Sequence, residues 1–275
     1  MDGKTQVYAV LGQPVHHSRS PEIQNAAFSA SGMNAVYVAL EVPAPRLAQA
    51  LEGLHASRVL GVNLTSPHKE AAFSLAHKTS PEADSARAVN TLRWEPEGWV
   101  GHATDGEGFL AWIAETKIDL TGRVVLVLGA GGAARAIVPK LLELGPESIH
   151  VVSRTAAHAE SLARGVTDPG KTRIKAGALA EAGGAPWDLL LRALSVESVS
   201  PEEELWWKAH TPHAVALDLN YGARAIGARA CSQVYGVRYE DGSALLVHQG
   251  ARSFEFWTGR EAPIAAMREA LRASD

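Results

Sequence analysis

Three short segments carry groups suited to proton transfer and anion binding. Lys69 ends the run Asn63-Leu64-Thr65-Ser66-Pro67-His68-Lys69. Asn63 and Thr65 alternate onto one side of a strand end, and Ser66-Pro67 reads as a helix cap and first turn. Lys69 then falls in the first helical turn, where a cation opposes the helix macrodipole. That position suits a lysine that exchanges a proton; a solvated surface lysine is the competing reading. Asp105 lies in Thr104-Asp105-Gly106-Glu107-Gly108, with Asn90-Thr91 upstream. It is either an N-cap or a carboxylate acting with the lysine. His17-Ser18-Arg19-Ser20-Pro21 sets two hydroxyls before a helix. Ser20 reads as an N-cap with Pro21 as first helical residue, whereas Ser18 is not needed for a cap and is the more suggestive serine. None of the 11 histidines shows metal-ligand spacing, and the adjacent His16 and His17 point in different directions, so no metal is expected.

A fourth segment lies at mid-chain. Residues 124–136 read VVLVLGAGGAARA: an apolar run, then Gly129, Gly131 and Gly132, then small helix formers. A buried strand, a tight turn and a helix start let backbone N–H groups approach a pyrophosphate. Gly129 serves the turn, Gly131 the close approach, and Ala134 takes the third small position. Plain helix–sheet packing is the alternative. The next strand, Ser148 to Val152, ends in Ser153-Arg154-Thr155. An acidic residue there would bond a ribose 2′-hydroxyl; arginine suits a 2′-phosphate, so NADP is expected over NAD.

The elements that must position these groups alternate along the chain. Strands are expected at Val7–Leu11, Val36–Leu40 and Val59–Leu64, and helices at Pro21–Ser31 and around Leu47, Leu51 and Leu54. Trp94 to Trp99 reads as a hairpin. A second βαβ series starts at Val124, with strands near Leu189 and Ala214. Glycine and proline blur the pattern between Arg164 and Trp187. From Ser243 the chain reads as helices that could pack back on the first domain. The fold class is therefore α/β: an N-terminal α/β substrate domain, residues 1–106 completed by C-terminal helices in 241–275, and a Rossmann-like cofactor domain, residues 107–240. Ligands of the two domains would meet at a cleft, with hinges around Thr104–Gly108 and near Asp241-Gly242.

Bulk properties narrow the partners. A net charge of −4 among 275 residues gives no electrostatic case for nucleic acid. No apolar run approaches a membrane span, and MDGKTQVYAV lacks the architecture of a secretory signal. A single cysteine, Cys231, fits a reducing cytoplasm.

Together the motifs HSRSP (17–21), GVNLTSPHKEAA (61–72), AVNT (88–91), TDGEGF (104–109), GAGGAARA (129–136), SRT (153–155), DLNY (218–221) and HQGARSFEFWTG (248–259) resemble the shikimate dehydrogenase family in type and order. The resemblance implies reversible reduction of 3-dehydroshikimate by NADPH, with Lys69 and Asp105 as the catalytic pair. It implies Ser18 and Ser20, assisted by Tyr221, as ligands of the substrate carboxylate. Asn63, Thr65, Asn90 and Gln249 would bind ring hydroxyls. Gly129, Ala130, Gly131, Gly132 and Ala133 would form the pyrophosphate loop, Ser153, Arg154 and Thr155 the 2′-phosphate site, and Gly242 a further cofactor contact. A homodimer is also compatible with it, as are a broader quinate/shikimate dehydrogenase and a binding paralogue without turnover. The chain departs from the family pattern at Arg192-Ala193-Leu194-Ser195, where Asn-Ala-Thr-Ser is usual. It also departs at Ala103 (usually Asn), His68 (usually apolar) and Arg87 (usually Gly), and after Tyr221, where Pro is expected.

Overall fold

The computed structural model describes residues 1–166, 172–181 and 186–273. Part of the stretch whose pattern is blurred, 167–171 and 182–185, lies outside the described residues. The chain forms two compact units, one of residues 1–112 with 244–275 and one of residues 113–243.

The first unit runs β1 (Gln6–Gly12), α1 (Ser20–Ala30), β2 (Ala35–Glu41), α2 (Leu47–Ala56), β3 (Gly61–Leu64), α3 (Lys69–Leu75), β4 (Lys78–Thr79), α4 (Pro81–Ala86), β5 (Thr91–Glu95) and β6 (Gly98–His102), and enters α5 (Asp105–Thr116). Its sheet has the order β2-β1-β3-β5-β6-β4. β1 pairs in parallel with β2 and β3, whereas β3, β5 and β6 pair antiparallel. Tyr8 to Leu11 are all buried, as a strand covered on both faces requires. The expected hairpin is present, with Trp94 opposite Trp99.

The second unit runs β7 (Val124–Leu128), α6 (Gly132–Leu142), β8 (Ser148–Ser153), α7 (Ala156–Gly165), β9 (Arg173–Ala178), β10 (Trp187–Arg192), α8 (Pro201–Trp207), β11 (His210–Asp218), α9 (Ile226–Tyr235) and β12 (Arg238–Glu240). All six strands are parallel, in the order β12-β11-β10-β7-β8-β9. That is the doubly wound order of dinucleotide-binding folds, with its switch point between β7 and β10. Two of its strands escaped the sequence reading. β9, in Arg-Ile-Lys-Ala-Gly-Ala, alternates charge and small residues rather than presenting an apolar run, and β12 is three residues long.

The chain then returns to the first unit through α10 (Ser243–Thr258) and α11 (Ile264–Arg272). α10 packs closely there. Gln24 on α1 donates to the carbonyl of Gly250 at 2.8 Å, and Trp257 lies over Gly61, where an added Cβ would stand 2.6 Å from its ring. Residues 105–108, expected within a hinge, form the first turn of α5, which begins at Asp105.

Candidate active site

In the first unit, Lys69 Nζ donates to Asp105 Oδ2 at 2.6 Å, with the side chains 18% and 8% exposed. Both residues open helices, Lys69 α3 and Asp105 α5. Asp105 therefore does not cap a helix from outside it; its carboxylate meets the lysine and an amide. Asn90 Nδ2 donates to Asp105 Oδ1 at 2.8 Å and to Thr104 Oγ1 at 2.9 Å, and reaches Gln249 Oε1 at 3.4 Å. An ammonium has three donors, and the bond to Asp105 uses one. Gly108 lets α5 approach α10: a Cβ there would lie 2.7 Å from the Gln249 nitrogen. Lys69, Asp105, Asn90 and Gln249 are thus brought together.

Asn63 is turned inward. Its Oδ1 accepts from the Tyr37 hydroxyl at 2.7 Å, and its Nδ2 faces Asn90 O, Thr91 Oγ1 and Ser253 Oγ at 2.9–3.0 Å. Thr91 and Ser253, fully buried, bond each other at 2.8 Å. Sequence reasoning missed Tyr37, Thr91, Thr104 and Ser253 as supports of the site. Ser253 was findable, because it follows Gln249 by four residues and so shares its helix face. Thr65 follows β3, and its Cγ2 lies over Gly12, where a Cβ would stand 2.4 Å away. Ser66-Pro67 forms a turn rather than a helix start, and His68 precedes α3. His68 is buried with Nε2 2.8 Å from the Val42 carbonyl, and burial holds its pKa below the usual histidine value.

The serines are clarified by comparison within the chain. Ser20-Pro21-Glu22, Ser80-Pro81-Glu82 and Ser200-Pro201-Glu202 share one pattern. Ser80 and Ser200 are true caps, accepting from Ala83 N and Glu203 N, each at 3.2 Å. Ser20 is not: α1 begins one residue earlier, and Arg19 holds the N-cap position without a side-chain cap bond of its own. The expectation of a Ser20 cap is therefore corrected. Ser18 Oγ accepts from Ser20 N at 3.3 Å, which ties the Ser18 hydroxyl to the backbone at the start of α1. Arg19 turns away, to Glu22 and to the carbonyl of Leu271.

The second unit holds the remaining candidates. Gly129 has φ +109°, a conformation that L side chains rarely adopt, and a Cβ there would meet the Ala193 carbonyl. Gly131 is the N-cap of α6 and has no cap bond from a side chain, and a Cβ on it would meet open space. Gly132 and Ala133 open α6, and Ala130 is buried. The helix start therefore presents uncapped N–H groups at the switch point, which fits a pyrophosphate. At the end of β8, Ser153 Oγ donates to the Thr155 carbonyl at 2.6 Å, pinning the turn. Arg154 is exposed and has no carboxylate partner among the described residues, which fits a phosphate. Tyr221 follows β11 in this unit. Gly242 donates to Asn220 O at 2.8 Å, and a Cβ on it would lie 2.4 Å from Leu219 O, so backbone packing also demands glycine there. Among the described residues, no group of three His, Cys, Asp or Glu is placed to hold a metal, and no helix is long and apolar enough to cross a membrane.

A lysine–aspartate pair in one α/β unit and a dinucleotide-type turn in a doubly wound unit define a two-unit α/β dehydrogenase. Likeness to known proteins narrows the class. Residues 10–92 match the shikimate dehydrogenase substrate binding domain, 112–182 the shikimate / quinate 5-dehydrogenase model, and 242–272 the shikimate 5′-dehydrogenase C-terminal domain. The chain is 41% identical over 278 residues to shikimate dehydrogenase (NADP(+)) of Anaeromyxobacter dehalogenans, covering 99% of this chain and 98% of that one. It superposes on shikimate 5-dehydrogenase of Thermus thermophilus, solved with NADP(H) and shikimate, with a TM-score of 0.81 and 33% identity over 98% of this chain and all of that one. The 5-ketofructose reductase of a Gluconobacter strain shares the fold at TM-score 0.81 and 28% identity, with full coverage of both. The chain belongs to the shikimate dehydrogenase family.

Proposed function

We propose that this protein catalyses the reversible NADPH-dependent reduction of 3-dehydroshikimate to shikimate. The observation that carries the reading is the 2.6 Å Lys69–Asp105 pair, buttressed by Asn90 and close to Gln249. In this reading residues 1–112 and 244–275 bind the substrate, and residues 113–243 bind the cofactor. When bound, NADPH supplies the hydride that the protein itself lacks. Lys69 donates a hydrogen bond, and then the proton, to the carbonyl oxygen on which negative charge develops. Asp105 holds the ammonium in place and accepts from the neighbouring substrate hydroxyl. Asn63, Thr65, Asn90 and Gln249 orient the ring hydroxyls, and Ser18 and Ser20, with Tyr221, donate to the carboxylate. Gly129 to Ala133 receive the pyrophosphate, Ser153 to Thr155 the 2′-phosphate, and Gly242 borders the cofactor. The partners are small molecules rather than nucleic acid; the lone cysteine supports a cytoplasmic setting, and a homodimer belongs to the same reading.

Initial rates with shikimate or quinate, each with NADP⁺ or NAD⁺, test the proposal. Turnover should be highest with shikimate and NADP⁺. Faster turnover of quinate would favour the broader dehydrogenase, and absence of turnover with every pair would favour a binding paralogue.

A further inference from the structure

Arg192 ends β10, opposite Leu128 at the end of β7, the strand that leads into the glycine turn. Its guanidinium is wholly buried, so the residue where the chain departs from its family faces into the second unit. Nε donates to Glu203 Oε1 at 2.7 Å, and Nη1 to Asp218 Oδ2 at 3.3 Å. Nη2 lies 3.4 Å from Glu203 Oε2 and donates to the backbone carbonyls of Val196 at 3.1 Å and Ser198 at 3.3 Å. The carboxylates are held in turn: Trp207 Nε1 donates to Glu203 at 3.2 Å and the Tyr239 hydroxyl to Asp218 at 3.0 Å.

A buried cluster of this kind is a poor source of stability, since apolar residues of like volume often do as well. Its distinctive product is the grip on two loop carbonyls. The loop after β10 is held at its start as well, where Asn220 Nδ2 donates to Leu194 O at 2.8 Å. It forms a wall of the glycine turn: a Cβ at Gly129 would stand 2.6 Å from Ala193 O and 3.4 Å from Leu194 Cδ2. We infer that Arg192 is a positioning residue for cofactor binding, holding the loop 193–198 against the glycine turn through the carbonyls of Val196 and Ser198. This rests on the reading of that turn as the NADP site. Arginine is needed because its fork reaches two carboxylates and two carbonyls at once, which a lysine cannot.

The test is the NADPH dissociation constant by fluorescence titration, read with the KM for shikimate at saturating NADP⁺ and with Tm. Four full-length proteins are compared: wild type, Arg192→Lys, the triple variant Arg192→Met/Glu203→Gln/Asp218→Asn, and Trp187→Phe. The triple variant removes the grip without leaving unpaired carboxylates, and Arg192→Lys keeps a cation between them. Trp187 begins the same strand at its far end and donates to Trp206 O at 2.7 Å, so its substitution loosens the sheet away from the loop. Both Arg192 variants should bind NADPH about tenfold more weakly, the loss of a charge-assisted hydrogen bond, with KM for shikimate within about twofold. Trp187→Phe should lower Tm and leave NADPH affinity near that of wild type. Wild-type NADPH affinity in either folded Arg192 variant would overturn the inference. So would Trp187→Phe weakening NADPH as much at an equal loss of Tm. Failure of wild type to bind NADPH would overturn the reading of the turn, and the inference with it.

Discussion

Ser20→Ala and Ser200→Ala should separate binding from stability within one chain. Both serines stand in Ser-Pro-Glu, yet only Ser200 accepts a helix-end N–H, from Glu203 at 3.2 Å. Losing a serine cap costs about 1 kcal/mol, which lowers Tm by a few degrees in a protein of this size. Ser200→Ala should show that loss, with KM for shikimate unchanged. Ser20 is instead the first residue of α1, with Arg19 at the N-cap position, so its hydroxyl is free of capping duty and its removal leaves Tm nearly unchanged. A hydroxyl that donates to a carboxylate contributes roughly 1.5–3 kcal/mol, so Ser20→Ala should raise KM by about 10- to 150-fold, at ~1.4 kcal/mol per decade. Thermal melts and shikimate saturation curves on the two variants read both quantities. A Ser20 variant that loses stability like the Ser200 variant, with KM unmoved, would refute the reasoning and restore the cap.

Three further outcomes follow from particular contacts. Arg154→Ala should raise KM for NADP⁺ at least about tenfold while leaving that for NAD⁺ nearly unchanged, since Arg154 has no carboxylate partner among the described residues and is proposed to meet the 2′-phosphate; equal effects on both would remove it from the phosphate site. Arg87 sits at φ 47° at the C-terminal end of α4, so Arg87→Gly should stabilise by roughly 0.5–1 kcal/mol through relief of left-handed strain, read as a rise in Tm; a fall would assign more value to its position over the Phe73 ring. Burial lowers the His68 pKa in the folded state, so the unfolded chain binds the extra proton and stability falls as pH drops below the unfolded value of about 6.5. His68→Gln should make that limb of a denaturation-versus-pH curve shallower by up to one proton, and an unchanged slope would show that His68 does not titrate there.

Much of this architecture is legible in residue order. Apolar runs such as Val124–Leu128 and Val7–Leu11 announce strands buried on both faces, and the glycines after Leu128 announce a turn at a helix start. What stays hidden depends on long-range pairing. β9 joins the sheet through register with β8 rather than through its own pattern. The roles of the three Ser-Pro-Glu segments diverge because one helix starts a residue earlier than its fellows. Glu203 reads as one acid among three in a helix start, yet it is buried against Arg192. The supports of the site, Tyr37, Thr91 and Ser253, come from three distant elements and converge only on folding.

Lys69, held by Asp105 at 2.6 Å, is proposed to perform the proton transfer of shikimate oxidation. Steady-state kinetics of purified wild type and Lys69→Ala with shikimate and NADP⁺, on samples shown by thermal melts to be folded, test it most directly. In the variant kcat should fall about 10²- to 10⁴-fold, with KM for shikimate changed only a few fold. Near-normal kcat in the folded variant, or a loss carried wholly by KM, would contradict it.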